Sequence, residues 1–86
     1  MKVDIYIYKV QSTFAEETET RYIVQAHRFG TSNSRWDSSG SLVELHYRMQ
    51  PLPALDWGDI EDKLEKNGGI EIPLDLEEFA YHKLFS

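Results

Sequence analysis

Residues 30–49 read GTSNSRWDSSGSLVELHYRM, and the way this stretch divides decides the fold. Its first part, 30–40, has glycine at both ends, serines throughout and an Arg35-Trp36-Asp37 triplet in the middle. That composition of turn formers predicts a long loop. The second part, Ser41 to Met49, alternates. Val43, Leu45, Tyr47 and Met49 form an apolar set against Leu42, Glu44, His46 and Arg48, which is the period of a half-buried strand.

Upstream of the loop the same period recurs. Residues 2–10 place Val3, Ile5 and Ile7 on one side and Asp4, Tyr6 and Tyr8 on the other, with room to continue to Phe14. The acidic segment Ala15 to Glu19 separates this strand from a second, Thr20 to Phe29, in which Tyr22, Val24 and Ala26 share a face. Connections this short permit only antiparallel pairing, so the reading is a three-stranded meander.

Downstream, Pro51 and Pro53 end strand pairing. The remaining third of the chain is helical in pattern, with Trp57 to Lys66 and Leu76 to Phe85 as the two helices and Ile70 to Ile72 as a candidate fourth strand. Leu55-Asp56 and Leu74-Asp75 open an echoed pattern, L-D-x-x-[DE]-hydrophobic, which predicts aspartate N-caps with apolar staples Leu55–Ile60 and Leu74–Phe79. Asn67-Gly68-Gly69 stops the first helix. The expected fold class is α+β: a single domain, 1–86, with an antiparallel meander and two short C-terminal helices on one sheet face. Val3, Ile5, Ile7, Tyr22, Val24, Ala26, Val43, Leu45 and Tyr47 would form that face.

Composition limits the function classes. The chain has no cysteine, which excludes disulfides and thiolate zinc sites. Its first ten residues, MKVDIYIYKV, lack the apolar core of a signal peptide, and no apolar run is long enough to span a membrane. A cytoplasmic location is the expectation. The net charge is -6. Acids and bases balance over residues 1–53, so all of the net charge falls in residues 54–86. That distribution disfavours direct nucleic-acid binding, which needs cationic surface, and favours a basic protein partner or simple solubility.

No cofactor or metal site is expected. His27, His46 and His82 are far apart and carry no metal-ligand spacing, and no nucleophile elbow or phosphate-cradling glycine motif is present. The most favoured reading is a small acidic, non-catalytic protein that binds and inhibits or regulates a larger, basic protein, a class that includes nucleic-acid-binding proteins, by steric occlusion or charge mimicry. Arg35, Trp36 and Asp37 at the loop tip and Asp59, Asp62, Glu65, Glu77 and Glu78 on the helices are the candidate contacts. The bland readings are a Trp36 folded over the sheet edge and acids that are merely solvated. Two alternatives remain. One is an enzyme or ligand site on the sheet face formed by Tyr6, Tyr8, His27, Glu44, His46 and Arg48. The other is a homodimer joined through Tyr81, Leu84 and Phe85.

Overall fold

The alternation of the first residues is realised as a long strand that becomes the centre of the sheet. The computed structural model describes residues 1–52 and 55–85. Its elements are β1 (Lys2–Phe14), β2 (Glu17–Arg28), β3 (Ser34–Ser39), α1 (Leu42–Met49), α2 (Trp57–Asn67), β4 (Gly69–Asp75) and α3 (Glu78–Leu84). The sheet order is β3-β2-β1-β4 and every pairing is antiparallel. The fold is therefore α+β, a meander of three strands joined by a fourth.

The third strand is not where the alternation of Ser41 to Met49 puts it. It lies inside the serine-rich segment, at Ser34–Ser39, and Leu42–Met49 is a helix. The helix has a capping box: the Ser41 hydroxyl accepts from the Glu44 amide, and Glu44 reaches back to accept from the Gly40 amide. Helical geometry also splits the period-two apolar set. Leu45 and Met49, one turn apart, are buried, whereas Val43 and Tyr47 are 79% and 75% exposed. Neither of the latter belongs to the core. Pro51 comes after a helix rather than a strand, and Pro53 lies outside the described residues.

The cross-strand register puts Val3, Ile5 and Ile7 of β1 opposite Ala26 and Val24 of β2 and Leu74, Ile72 and Ile70 of β4. This face carries the core, closed by Leu45 and Met49 of α1, Ile60 and Leu64 of α2, and Tyr81 and Leu84 of α3. All three helices lie on this one side of the sheet.

The two helix-start motifs diverge. Asp56 caps α2 by accepting from the Asp59 amide, and Gly68 ends it in the left-handed conformation at φ 76°. Asp75 caps nothing; it ends β4 and pairs with the N-terminal ammonium at 3.1 Å. Helix α3 starts later, at Glu78, and Phe79 is exposed rather than stapled to Leu74, while Tyr81 turns inward. The Met1 ammonium donates to Asp75 and to the Leu76 carbonyl, and the Leu76 amide to the Met1 carbonyl, so this segment is held at the sheet edge before the helix begins.

Beyond the ends of β3 and β4, the outer part of β1 and β2 continues as a two-stranded ribbon from Lys9 to Phe14 and Glu17 to Arg21. Ala15 and Glu16 at its tip both have positive φ, 51° and 68°, as a two-residue hairpin turn of matching twist requires. Glu17 and Glu19, expected in the connection, are strand residues.

The helical register of 42–49 has a direct test. Leu45→Ala should lose about 2–5 kcal/mol of stability, as buried leucines do, while Val43→Ala should change it by less than about 0.5 kcal/mol. Urea unfolding followed by circular dichroism separates the two, and equal losses would indicate a strand.

Candidate binding face

The sheet has a second face, and no helix covers it among the described residues. Because paired residues in an antiparallel sheet share a side, the register assigns it Trp36 and Ser38 from β3, Ile23, Gln25 and His27 from β2, Asp4, Tyr6 and Tyr8 from β1, and Glu71 from β4. Trp36, Gln25, Tyr6 and Glu71 form one row across all four strands. The same side of the ribbon carries Val10 and Phe14. Trp36 is 66% exposed and Phe14 85%, with Tyr8 and Val10 also exposed. An aromatic and aliphatic stripe thus runs from the outer edge strand to the hairpin tip.

Strand alternation takes the Arg35-Trp36-Asp37 triplet apart. Trp36 is on the open face, and its neighbours are on the covered one. The Arg35 guanidinium lies 4.9 Å from the Phe85 ring centroid and 3.4 Å from His82 Nδ1, so it ties β3 to the C-terminal helix. Asp37 accepts from Arg48 at 3.0 Å. Trp36 alone of the three is on the open face, and it does not fold over the sheet edge.

The remaining candidates are dispersed. Tyr6, Tyr8 and His27 share the open face, but Glu44, His46 and Arg48 belong to α1 on the opposite side, so the sheet-face constellation does not assemble. Glu44 closes the capping box, and His46 stacks on Trp57 with centroids 4.4 Å apart. Arg48 donates to Asp37, to the Ser39 hydroxyl and to the Leu84 carbonyl. Tyr81 and Leu84 are buried in the core and Phe85 is packed against it, so the residues of the candidate dimer patch face inward. Asp59, Asp62 and Glu65 are exposed on α2, where Lys66 neutralises Asp62 at 3.1 Å. Glu77 and Glu78 stand at the start of α3, a different helix, and both sets face away from Trp36.

Sequence reading misses this arrangement for one reason: placing β3 at 41–49 puts the wrong residues on the open face. The S-x-x-E spacing of Ser41 and Glu44 is the signal that finds the helix. A second apolar region, a groove of about 750 Å³ between α1 and α3, contains the exposed Val43, Tyr47 and Phe79.

Among the described residues no cluster of three or more His, Asp or Glu is placed to hold a metal ion, and no helix is long and apolar enough to cross a membrane. The open face has one perturbed titration. A side-chain hydrogen bond with Glu71, then desolvation, then the charges of Glu71 and Asp4 raise the Tyr6 phenol above its ordinary value. In comparisons with known proteins, no protein family, no curated protein and no solved structure matches the chain.

Removing the carboxylate in Glu71→Ala should bring the Tyr6 pKa down toward that of an ordinary phenol, as followed by ultraviolet titration. Because the neutral phenol is the form favoured by folding, its contribution to stability is complete below about pH 10 and is lost as pH rises through the elevated folded value. An unmoved phenol in Glu71→Ala would mean that Glu71 is not its partner.

Proposed function

We propose that this protein is a small non-catalytic binding domain that attaches to a larger, basic protein through the open face of its sheet and acts by covering that partner's surface. The exposed Trp36, set in a cross-strand row of the sheet, is the observation that carries this reading. Tryptophan is among the side chains most enriched at binding hot spots, and a strand holds it at little further entropic cost.

Charge supports the same face. Asp4, Glu71, Glu17 and Glu19 surround the aromatic stripe, while the bases on this side are Lys2 and Arg21, and Arg21 is engaged by Glu19 at 3.3 Å and by the Ser38 hydroxyl. An apolar centre with an acidic rim suits a cationic partner: the centre supplies affinity and the rim steers encounter. Where the covered surface is one that holds nucleic acid, these carboxylates stand in the place of phosphates, and occlusion becomes inhibition. The acids of α2 are a less favourable contact because lysines intersperse them and Asp62 is already paired. The groove between α1 and α3 lacks an acidic bias, since its walls carry Glu44 together with two bases, Arg48 and Lys83.

Photo-crosslinking amino acids at positions 8 and 65, introduced in the native host, place the two surfaces in competition. The expected result is a protein adduct from position 8, weakened in high salt, and none from position 65. An adduct from position 65 alone would overturn the open-face reading. With the captured partner purified, Trp36→Ala should cost about 2 kcal/mol of binding or more, roughly 30-fold in affinity, with an unchanged melting temperature.

A further inference from the structure

The two edges of the sheet are not equivalent. On the β4 side, Lys9 donates to the Gly68 carbonyl and Leu76 to that of Met1, so the even-numbered residues of β4 face β1 and the odd-numbered ones face outward. Pro73 is therefore an outward position, and it presents no N–H to a further strand. On the β3 side the corresponding bond, from the Phe29 amide to the Lys2 carbonyl, turns the odd-numbered residues of β2 toward β1 and the even ones toward β3. Through the β2–β3 register, the main chain of Arg35 and Asp37 is engaged with β2, and that of Ser34, Trp36 and Ser38 points outward. Ser34–Ser39 contains no proline, so every outward residue of this edge keeps its N–H.

The edge strand is self-complementary. In Ser34-Arg35-Trp36-Asp37-Ser38, reversal about Trp36 exchanges arginine with aspartate and serine with serine. From this pattern we infer that β3 pairs antiparallel with β3 of a second copy of the chain, about a two-fold axis at Trp36, to make one continuous sheet. Arg35 of each copy then faces Asp37 of the other on the covered side, and the two Trp36 side chains meet on the open side.

Pleating and charge together select this register. Residues of one face must oppose the same face, so the pairing can slip only by whole pleats. A slip in one direction sets Arg35 against Arg35, and in the other Asp37 against Asp37, and like charges directly opposed are unfavourable. Only the register centred on Trp36 makes both pairs attractive. A second copy fits this edge better than an unrelated strand because an isologous contact requires such self-complementarity.

The groups are already disposed for it. Among the described residues, Arg35 has ring neighbours but no carboxylate partner. Asp37 keeps Arg48 on Oδ2, while its Oδ1 accepts from the Ser38 amide at 2.7 Å. Pairing transfers the outward Ser38 N–H to the carbonyl of Ser34 in the other copy and frees Oδ1 for the incoming guanidinium. The strand is short, so the interface is small and the association depends on concentration. The dimer does not depend on the open face having a partner, and it doubles the aromatic stripe if it has one.

Sedimentation equilibrium of the purified chain tests the inference. The mass should rise from the 10.1 kDa of one chain toward twice that value with concentration, at up to about 1 mM protein, the weak end of measurable affinity. Arg35→Asp and Asp37→Arg, each of which opposes like charges, should weaken self-association about tenfold or more. An equimolar mixture of the two should recover it, and the double exchange R35D/D37R should dimerise on its own. Because Asp37 also pairs with Arg48, each variant is first shown to keep the wild-type circular dichroism spectrum, and recovery in these two arms then shows that the single variants fail through charge rather than through misfolding. Trp36→Pro removes an outward N–H without touching the β2 ladder and should be monomeric with an unchanged circular dichroism spectrum. A wild type that stays at one chain mass, single variants that associate as tightly as wild type, or a mixture that does not recover association would each overturn the inference.

Discussion

Arg48 is the joint on which the arrangement of the covered side depends. From α1 it reaches three other places at once: the Asp37 carboxylate on β3, the buried Ser39 hydroxyl at the end of that strand, and the Leu84 carbonyl at the end of α3. The ion pair is partly exposed, so its Coulomb energy is screened and modest. The positional role is larger. Ser39 is almost fully buried, and the Leu84 carbonyl belongs to the last turn of a helix that has no further helical donors to offer it. One guanidinium satisfies both while holding an edge strand and two helices in a common frame.

That frame leaves the sheet one-sided. A chain of this length can build a single core, and the helices commit their apolar residues to one face of the sheet. The opposite face keeps its aromatic residues in water. In β3 the consequence is a division of labour by parity: odd-numbered side chains, Arg35, Asp37 and Ser39, secure α1 and α3, and even-numbered ones, Ser34, Trp36 and Ser38, belong to the open side. The outward main chain belongs to the same even-numbered residues, so open face and free edge meet at Trp36. The proposed binding face and the proposed pairing edge therefore share one strand.

Much of this organisation was legible in the residues. The alternation of Val3, Ile5 and Ile7, the Asp56 cap, the Gly68 stop and the extended character of 70–72 all appear in the structure as local chemistry implies. Short polar connections implied antiparallel pairing, and it is antiparallel throughout. Failures came where a local pattern admits two structures. Asp75 sits before an apolar run like a cap, yet the N-terminal ammonium claims it. Tyr81 and Leu84 read as a dimer patch on the last helix, but they lie in the core, whereas Val43 and Tyr47 are exposed once 42–49 coils. The candidate site moved with them: His46 and Arg48 left the sheet, and Trp36 entered it.

Local sequence settled the α+β class, the single antiparallel sheet and the side of β1 and β2 that is buried, because strand alternation and turn chemistry act over a few neighbouring residues. It could not settle the stretch from Gly30 to Met49. The run from Ser41 to Met49 is too short to separate a period of about 2 from one of about 3.6 when Leu45 and Met49 satisfy both, and a serine-rich segment has little strand propensity of its own. Tertiary contacts decided it. The edge of β2 needed a partner strand, and Ser34–Ser39 supplied backbone for it with Asp37 and Ser39 in reach of Arg48. The apolar side of the sheet also needed cover, to which a helix presenting Leu45 and Met49 contributes while the capping box of Ser41 and Glu44 satisfies its first turn.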